Sequence, residues 1–496
     1  MQPVTVHCRA PEGLDSPEVS VEVYLGPGLP GLSIVGMVET AVKESRDRVR
    51  AAIQSTGFSM PDRRIVVSLA PADLPKSGSR YDLAIAIGIL CASGQVPTTL
   101  LSQCEFLGEL SLAGKLRSVS GSLPVAMCAL THGRQIILPA ACRHEAGLLN
   151  NENVLSATDL LDVTTFLRGD SMLPAAEYLN TRAPADTPDL ADVQGQVIAR
   201  RALEIAAVGE HHLLMSGPPG TGKSMLARRL ATILPPLSNE ASLETAAIYS
   251  LRGEHLPAWK IRPFRSPHHS ATAAALAGGS SNPRPGEISL AHNGVLFLDE
   301  LPEFNRGTLE ILREPLETGV VSIARARRTV NYPARFQLIA AMNPCPCGYL
   351  GDPRQDCRCT SDQVSRYAGR VSGPLLDRID LRVQLNREPV MLSKRTTPAE
   401  SSSDVRQRVI AAVAKRTKRG NISNARLDAT GLTRWCWPDD AGAKLLEHAA
   451  NQFNLSRRAC NRTLHVARSI ADLADSPKVR KTHVAEALSL RMPGQV

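Results

Sequence analysis

Eight residues, Gly217-Pro218-Pro219-Gly220-Thr221-Gly222-Lys223-Ser224, hold the spacing G-x-x-x-x-G-K-S of a phosphate-binding loop. Glycines let successive backbone N–H groups turn inward onto phosphate oxygens. The lysine reaches the β- and γ-phosphates, and the serine hydroxyl joins the shell of a Mg2+ ion. An apolar run, Leu213-Leu214-Met215, precedes the loop, and a helix-compatible run, Met225 to Leu230, follows it. A strand and a helix therefore stand where the loop needs them, and the helix N-terminus adds a favourable dipole. An ordinary glycine-rich turn is the competing reading, and it leaves the complete set of fixed positions and both flanks unexplained. The pattern specifies binding of ATP or a related nucleoside triphosphate with Mg2+.

Hydrolysis needs more than a cradle. Gly294 to Leu298 is an apolar run ending in Asp299 and Glu300. That arrangement puts Asp299 on the Mg2+ shell and Glu300 where it can orient and polarise an attacking water. Phe336 to Met342 is a second buried strand, tipped by Asn343, which is placed to sense a γ-phosphate or hold the water. In the turn Gly373 to Leu381, Arg378 is either a finger acting across a subunit boundary or a surface salt-bridge residue.

Two further clusters stand out. Cys345, Cys347, Cys357 and Cys359 fall within fifteen positions. Four thiols so close suggest a closed, structural zinc site, although the C-x-C spacing is tighter than usual. Reduced free thiols in a loop, or a redox pair, are the alternatives. Val320 to Ile323 and Thr329 to Tyr332 read as two arms of a hairpin with Arg325, Arg327 and Arg328 at its tip. No acidic residue accompanies them, so they suit a sequence-independent, salt-sensitive grip on phosphates; a solvated basic turn is the plainer reading.

Composition bounds the rest. The chain is long enough for two or three domains, and 43% hydrophobic with 21% charged residues describes a globular protein. No apolar run approaches a membrane span, and Met1 to Ala10 lacks a signal-peptide core, so a cytoplasmic location without membrane contact is expected. The net charge of +9 suits a polyanionic partner, and eleven cysteines in such a chain are not expected to form a disulfide framework.

In chain order, residues 1–168 alternate strand and helix patterns. Val19, Val21 and Val23 mark a half-buried strand, Thr40 to Gln54 a helix, Ile65 to Leu69 a buried strand and Asp82 to Cys91 a second helix. Glu105 to Leu112 and Gln135 to Leu138 follow as strands around a helix, Leu123 to His132, giving an α/β or α+β domain with a mixed sheet. Pro75 to Arg80 and Gly108 to Lys115 resemble the segments around the Ser–Lys dyad of Lon-type proteases. On that pattern the serine position is Arg80 and the lysine position falls near Leu123, which implies a Lon-protease-like fold without protease activity. Lys76, Ser77 and Ser79 leave a displaced dyad as the alternative.

Residues 169–189 carry prolines 174, 184 and 188 and read as a linker; 190–390 is the ATPase core, 391–404 a polar hinge and 405–496 a helical lid. The lid helices are expected at Val405 to Arg416, Asp439 to Phe453, Ser456 to Leu473 and Lys481 to Leu490. The solvated-face reading is preferred for Arg462 and Arg468.

Phosphate loop, acidic strand, asparagine strand, arginine turn and C-terminal helices follow the order of AAA+ ATPases, and the chain resembles their magnesium-chelatase-like branch over nearly its whole length. The fold implied is an α/β AAA+ P-loop parallel sheet with a C-terminal helical lid. Ile261 to Ser289, with Pro267-His268-His269, resembles that branch's insertion in helix 2. His268 and His269 are grouped with the arginine tip as DNA contacts, and Arg458 falls at the second sensor position, reading the γ-phosphate from the lid. The resemblance implies a homohexameric ring ATPase that translocates on single-stranded and branched DNA and drives branch migration during natural transformation. A chelatase-type subunit acting on a protein partner, and a protein-remodelling or proteolytic machine, are the other readings.

Overall fold

A computed structural model describes residues 2–36, 40–178, 188–255, 258–279, 284–325, 328–387, 399–420 and 422–492. The chain divides into two compact units, Met1–Arg182 with Asn239–Trp259, and Ala183–Ser238 with Lys260–Val496. No helix of the described residues is long and apolar enough to cross a membrane.

The first unit is built on a seven-stranded mixed sheet. Its strands run in the order Gly31–Val35, Arg64–Ala70, Glu18–Gly26, Val4–Arg9, Cys104–Phe106, Gln135–Pro139 and Val154–Ala157. Val19, Val21 and Val23 alternate with polar or exposed neighbours and are fully buried, as the period of two requires. The buried strand expected over Ile65 to Leu69 is present as Arg64–Ala70, with Ile65, Val67 and Leu69 buried and Val66 and Ser68 only partly covered. The register explains this, because Val21 faces Leu69 and Val23 faces Val67 across an antiparallel pair, so the two strands share one core face. The helix Asp82–Ala92 is buried over Asp82 to Cys91. The single strand expected over Glu105 to Leu112 breaks into Cys104–Phe106 and Glu109–Leu110, because Gly108 donates to the Arg80 carbonyl and accepts from Leu83 N–H.

Helix Asn239–Arg252 lies between the phosphate loop and the acidic strand in sequence but belongs to the first unit. Ala246 and Ala247 pack with Leu123, and Ser250 accepts from Gly121 N–H through its carbonyl while its hydroxyl reaches Glu145 at 3.1 Å.

The second unit carries a five-stranded, wholly parallel sheet in the order Phe264–Arg265, Val295–Leu298, Gln337–Met342, Leu213–Ser216, Leu381–Gln384. Its central strands are near-continuous apolar runs, as a sheet covered on both faces demands. The lid helices are Ser402–Lys418, Asp440–Gln452, Arg457–Leu473 and Lys481–Arg491. Arg462 and Arg468 do not lie on a solvated face. Arg462 pairs with the fully buried Asp380, and Arg468, 1% exposed, pairs with Asp472 one helical turn on. The helix carries its charges inward because each finds a buried carboxylate there.

Candidate nucleotide-binding site and cysteine cluster

The phosphate loop leaves the sheet at Ser216, beside the strand Leu381–Gln384. Gly217 is required there, since a Cβ would stand 2.4 Å from the Leu385 carbonyl oxygen. Gly222, at φ +87°, turns the chain into the helix Lys223–Ile233 in a conformation that other residues rarely adopt. Lys223 is 9% exposed and folds back over the loop, donating to the carbonyls of Gly217 at 2.6 Å and Pro218 at 2.9 Å and to Asn343 Oδ1 at 3.1 Å. Burial holds its ammonium below the usual range, against the opposing pull of Asp299 and Glu300. Thr221 Oγ1 donates to the Pro218 carbonyl at 2.9 Å. Pro219 and Gly220 complete the tip.

The two residues expected on Mg2+ meet: Ser224 Oγ donates to Asp299 Oδ2 at 2.6 Å. A hydroxyl and a carboxylate at the end of a buried strand are hard oxygen donors of the kind Mg2+ takes. Glu300 follows at φ +53°, its N–H on Asp299 Oδ1 at 3.0 Å, with its carboxylate half exposed. His269 Nδ1 lies 3.3 Å from Glu300 Oε2, and the His268 ring lies tilted by 34° against His269 with centroids 4.1 Å apart. The histidines grouped with DNA contacts are thus placed beside the acidic carboxylate.

The four residues expected to act on the phosphates divide. Glu300 and Asn343 stand at the loop. Arg378 and Arg458 do not: both guanidiniums pair with Glu317, Arg378 at 2.8 Å. Arg378 precedes the strand Leu381–Gln384, which runs parallel and in register with Leu213–Ser216, whereas the loop follows that strand. Four strand residues, about 13 Å, separate the two ends. Within one chain these arginines face away from the phosphate loop.

The cysteine sulfurs of 345, 347, 357 and 359 all lie within 4.8 Å of one another, with closest separations of 3.4 and 3.6 Å. Zinc bound at about 2.3 Å by four tetrahedral thiolates sets its sulfurs about 3.8 Å apart, so the donor set fits the ion. N–H groups of Tyr349 and Arg358 hydrogen-bond Cys347 and lower its pKa to about 6. At Cys357 the opposing Cys359 N–H is outweighed by desolvation and by hydrogen bonds from the other three thiols, which push it up to about 12, so without a cation the cluster favours a single thiolate. The knuckle is tied to the phosphate loop. Gly348, at φ +87°, sits where a Cβ would be 2.8 Å from Pro219 Cδ. Arg387 pairs with Asp352 at 3.2 Å, lies over the Tyr349 ring at 5.3 Å and donates to the Pro219 carbonyl at 3.4 Å. Gly348, Asp352, Arg387 and Glu317 were not among the residues the sequence singles out; only Gly348, next to Cys347, carries a local signal.

The hairpin is present as Val320–Arg325 paired antiparallel with Arg328–Pro333, and Arg325 faces Arg328 at its end. Arg327 lies outside the described residues, as do the side chains of Arg325 and Arg328.

Comparison with known proteins adds the following. The family model described as Magnesium chelatase, subunit ChlI matches residues 189–392, that for Subunit ChlI of Mg-chelatase matches 21–142, and its C-terminal counterpart matches 399–491. The protein YifB of Escherichia coli is 49% identical over 490 residues, covering 98% of this chain and 96% of that one. Competence protein ComM of Haemophilus influenzae is 46% identical over 494 residues, covering 98% and 97%. A magnesium-chelatase 38 kDa subunit of Cereibacter sphaeroides is 26% identical over 174 residues, covering 31% and 51%.

Proposed function

Because the chain belongs to the YifB/ComM family of magnesium-chelatase-like AAA+ ATPases, we propose that it is a homohexameric, ATP-driven DNA translocase of helicase type. Its task is branch migration of recombination intermediates during natural transformation, consistent with the relative named for competence. The assembled site supports the hydrolytic part of this reading. Lys223 leaves its carbonyl partners for the β- and γ-phosphates, whose negative charge outweighs theirs. Ser224 and Asp299 would hold Mg2+, which when bound would supply positive charge to the phosphates. Glu300 accepts the proton of the attacking water, and Asn343, already bridged to Lys223, reports the γ-phosphate. Arg378 and Arg458 serve a neighbouring subunit's nucleotide, since neither faces the loop of its own chain.

The observation that carries the DNA reading is the paired hairpin whose strands end at Arg325 and Arg328, on the same unit as the ATP site; in sequence Arg327 falls between them. In a ring such tips grip backbone phosphates without reading sequence. Cys345, Cys347, Cys357 and Cys359 hold a structural zinc. The first unit is read as a Lon-protease-like fold that has lost its dyad. In support, Arg80 is buried with Nη2 on the Ser120 carbonyl at 3.1 Å, and Leu123 is fully buried. The family models named for a chelatase subunit favour one other reading, an ATPase remodelling a protein partner. Migration of a labelled four-strand junction with ATP tests the proposal. It is expected with wild type and absent with Glu300→Gln; no migration at low salt with an ATPase-active preparation contradicts it.

A further inference from the structure

The ATP loop stands at the carboxyl ends of the parallel strands; a second cavity, of about 430 Å³, opens at their amino ends. Glu210 and Arg335 line it from positions just ahead of two strands, Glu317 from the short helix Pro315–Thr318 before the hairpin, and Arg416, Ser423 and Arg426 from the lid. Its charges do not balance. Arg416 is 7% exposed; its Nη atoms reach the Val208 carbonyl at 2.9 Å and Glu210 at 3.4 Å, while Nε has no partner among the described residues. Ser423, 6% exposed, has a buried hydroxyl with no partner among the described residues. Arg335 and Arg426 are exposed at the mouth, and neither guanidinium pairs with a carboxylate of the described residues. Glu317 is already shared by Arg378 and Arg458. Among the described residues Glu210 is therefore the one lining carboxylate left to offset three arginines, and Arg262 beside it is bound there only to the carbonyls of Pro235 and Asn293. Burial lowers the Arg262 pKa; Glu210 opposes that shift, and the guanidiniums of Arg416 and Arg426 add to it.

We propose that this cavity is an anion site that takes a phosphate group, with the Arg335 and Arg426 forks at its mouth and the Ser423 hydroxyl and Arg416 Nε at its floor. Guanidinium forks match phosphate oxygens in pairs, and a buried donor left unsatisfied carries a desolvation cost that a bound anion recovers. A phosphate here bridges the root of the arginine hairpin to the lid. The phosphate can come from a free polyphosphate or from a nucleic-acid backbone.

The test saturates the ATP loop of the full chain with a non-hydrolysable ATP analogue and Mg2+, then titrates pyrophosphate by calorimetry. One further pyrophosphate per chain is expected. The double variant Arg335→Ala/Arg426→Ala weakens it at least tenfold without changing analogue affinity, and Ser423→Ala weakens it less. Both arginines are exposed, so the double variant is expected to fold. No binding beyond the analogue site, or equal affinity in the double variant, overturns the proposal. A single-stranded oligonucleotide that displaces pyrophosphate from wild type identifies backbone phosphate as the ligand, and one that does not identifies a free anion.

Discussion

Replacing Arg462 by alanine isolates what joins the lid to the nucleotide core. Asp380, at the foot of the strand Leu381–Gln384, is fully buried; it accepts from Arg462 Nη1 and, at 2.9 Å, from the His212 N–H. Burial pushes its carboxyl up, but Arg462 and the His211 hydrogen bond more than offset that and leave it well below the usual carboxylate range. Removing one partner of a buried pair strands the other and costs about 3–5 kcal/mol. Arg462 keeps 15% exposure, so we expect the lower end, about 3 kcal/mol at pH 7. The sign of the pH dependence follows from the depressed carboxyl. In wild type its stabilisation is complete above the unfolded value of about 3.9 and is lost as pH falls through the folded value. In Arg462→Ala the buried carboxyl instead takes up a proton early on acidification. The gap between the two proteins therefore narrows from pH 7 towards pH 4. Urea unfolding followed by tryptophan fluorescence reads this out, Trp435 and Trp437 both lying in the lid. Repeating the change in an Asp380→Asn background should reduce its cost to below about 1.5 kcal/mol, because no stranded charge remains. A cost under about 1 kcal/mol at pH 7, or the same cost in both backgrounds, would refute the reasoning.

Glu300→Gln should lower kcat for ATP by about 10²–10⁴ with nucleotide affinity little changed, since it removes the base and keeps the cradle; unchanged turnover contradicts the role. Elemental analysis of purified protein should find one zinc per chain, lost in Cys357→Ser, and a metal-free wild type with folded loops rules the assignment out. Gly348→Val forces a branched side chain into φ +87° against Pro219, a strain of about 1–3 kcal/mol at the phosphate loop. It should weaken ATP binding by roughly five- to a hundredfold, whereas an unaltered affinity means the knuckle and the loop are uncoupled.

The ATP site was legible because its signals are local. The phosphate loop, Asp299 at the end of Val295–Leu298 and Asn343 at the end of Gln337–Met342 are each a run of apolar residues with a polar tip, and parallel pairing brings those tips together. The lid helices were legible from their period. What joined distant segments was not. Arg458 and Glu317 stand 141 positions apart, Arg462 and Asp380 82, and nothing local marks either pair. Arg462 and Arg468 look like a solvated stripe until the buried carboxylates they face are known. Amphipathic spacing also shows that a helix buries a face without saying against what. Asn239–Arg252 sits inside the span expected to be ATPase core, yet it packs in the first unit. His269 reads as part of an insertion, and only the fold sets it 3.3 Å from Glu300.

The most direct measurement is the steady-state ATPase rate with and without single-stranded and branched DNA, for wild type and for the triple change of Arg325, Arg327 and Arg328 to alanine. A DNA motor predicts that DNA raises the wild-type rate at low salt and that the triple variant keeps the basal rate but loses the rise. A wild-type rate indifferent to DNA contradicts the account and moves the motor's target to a protein.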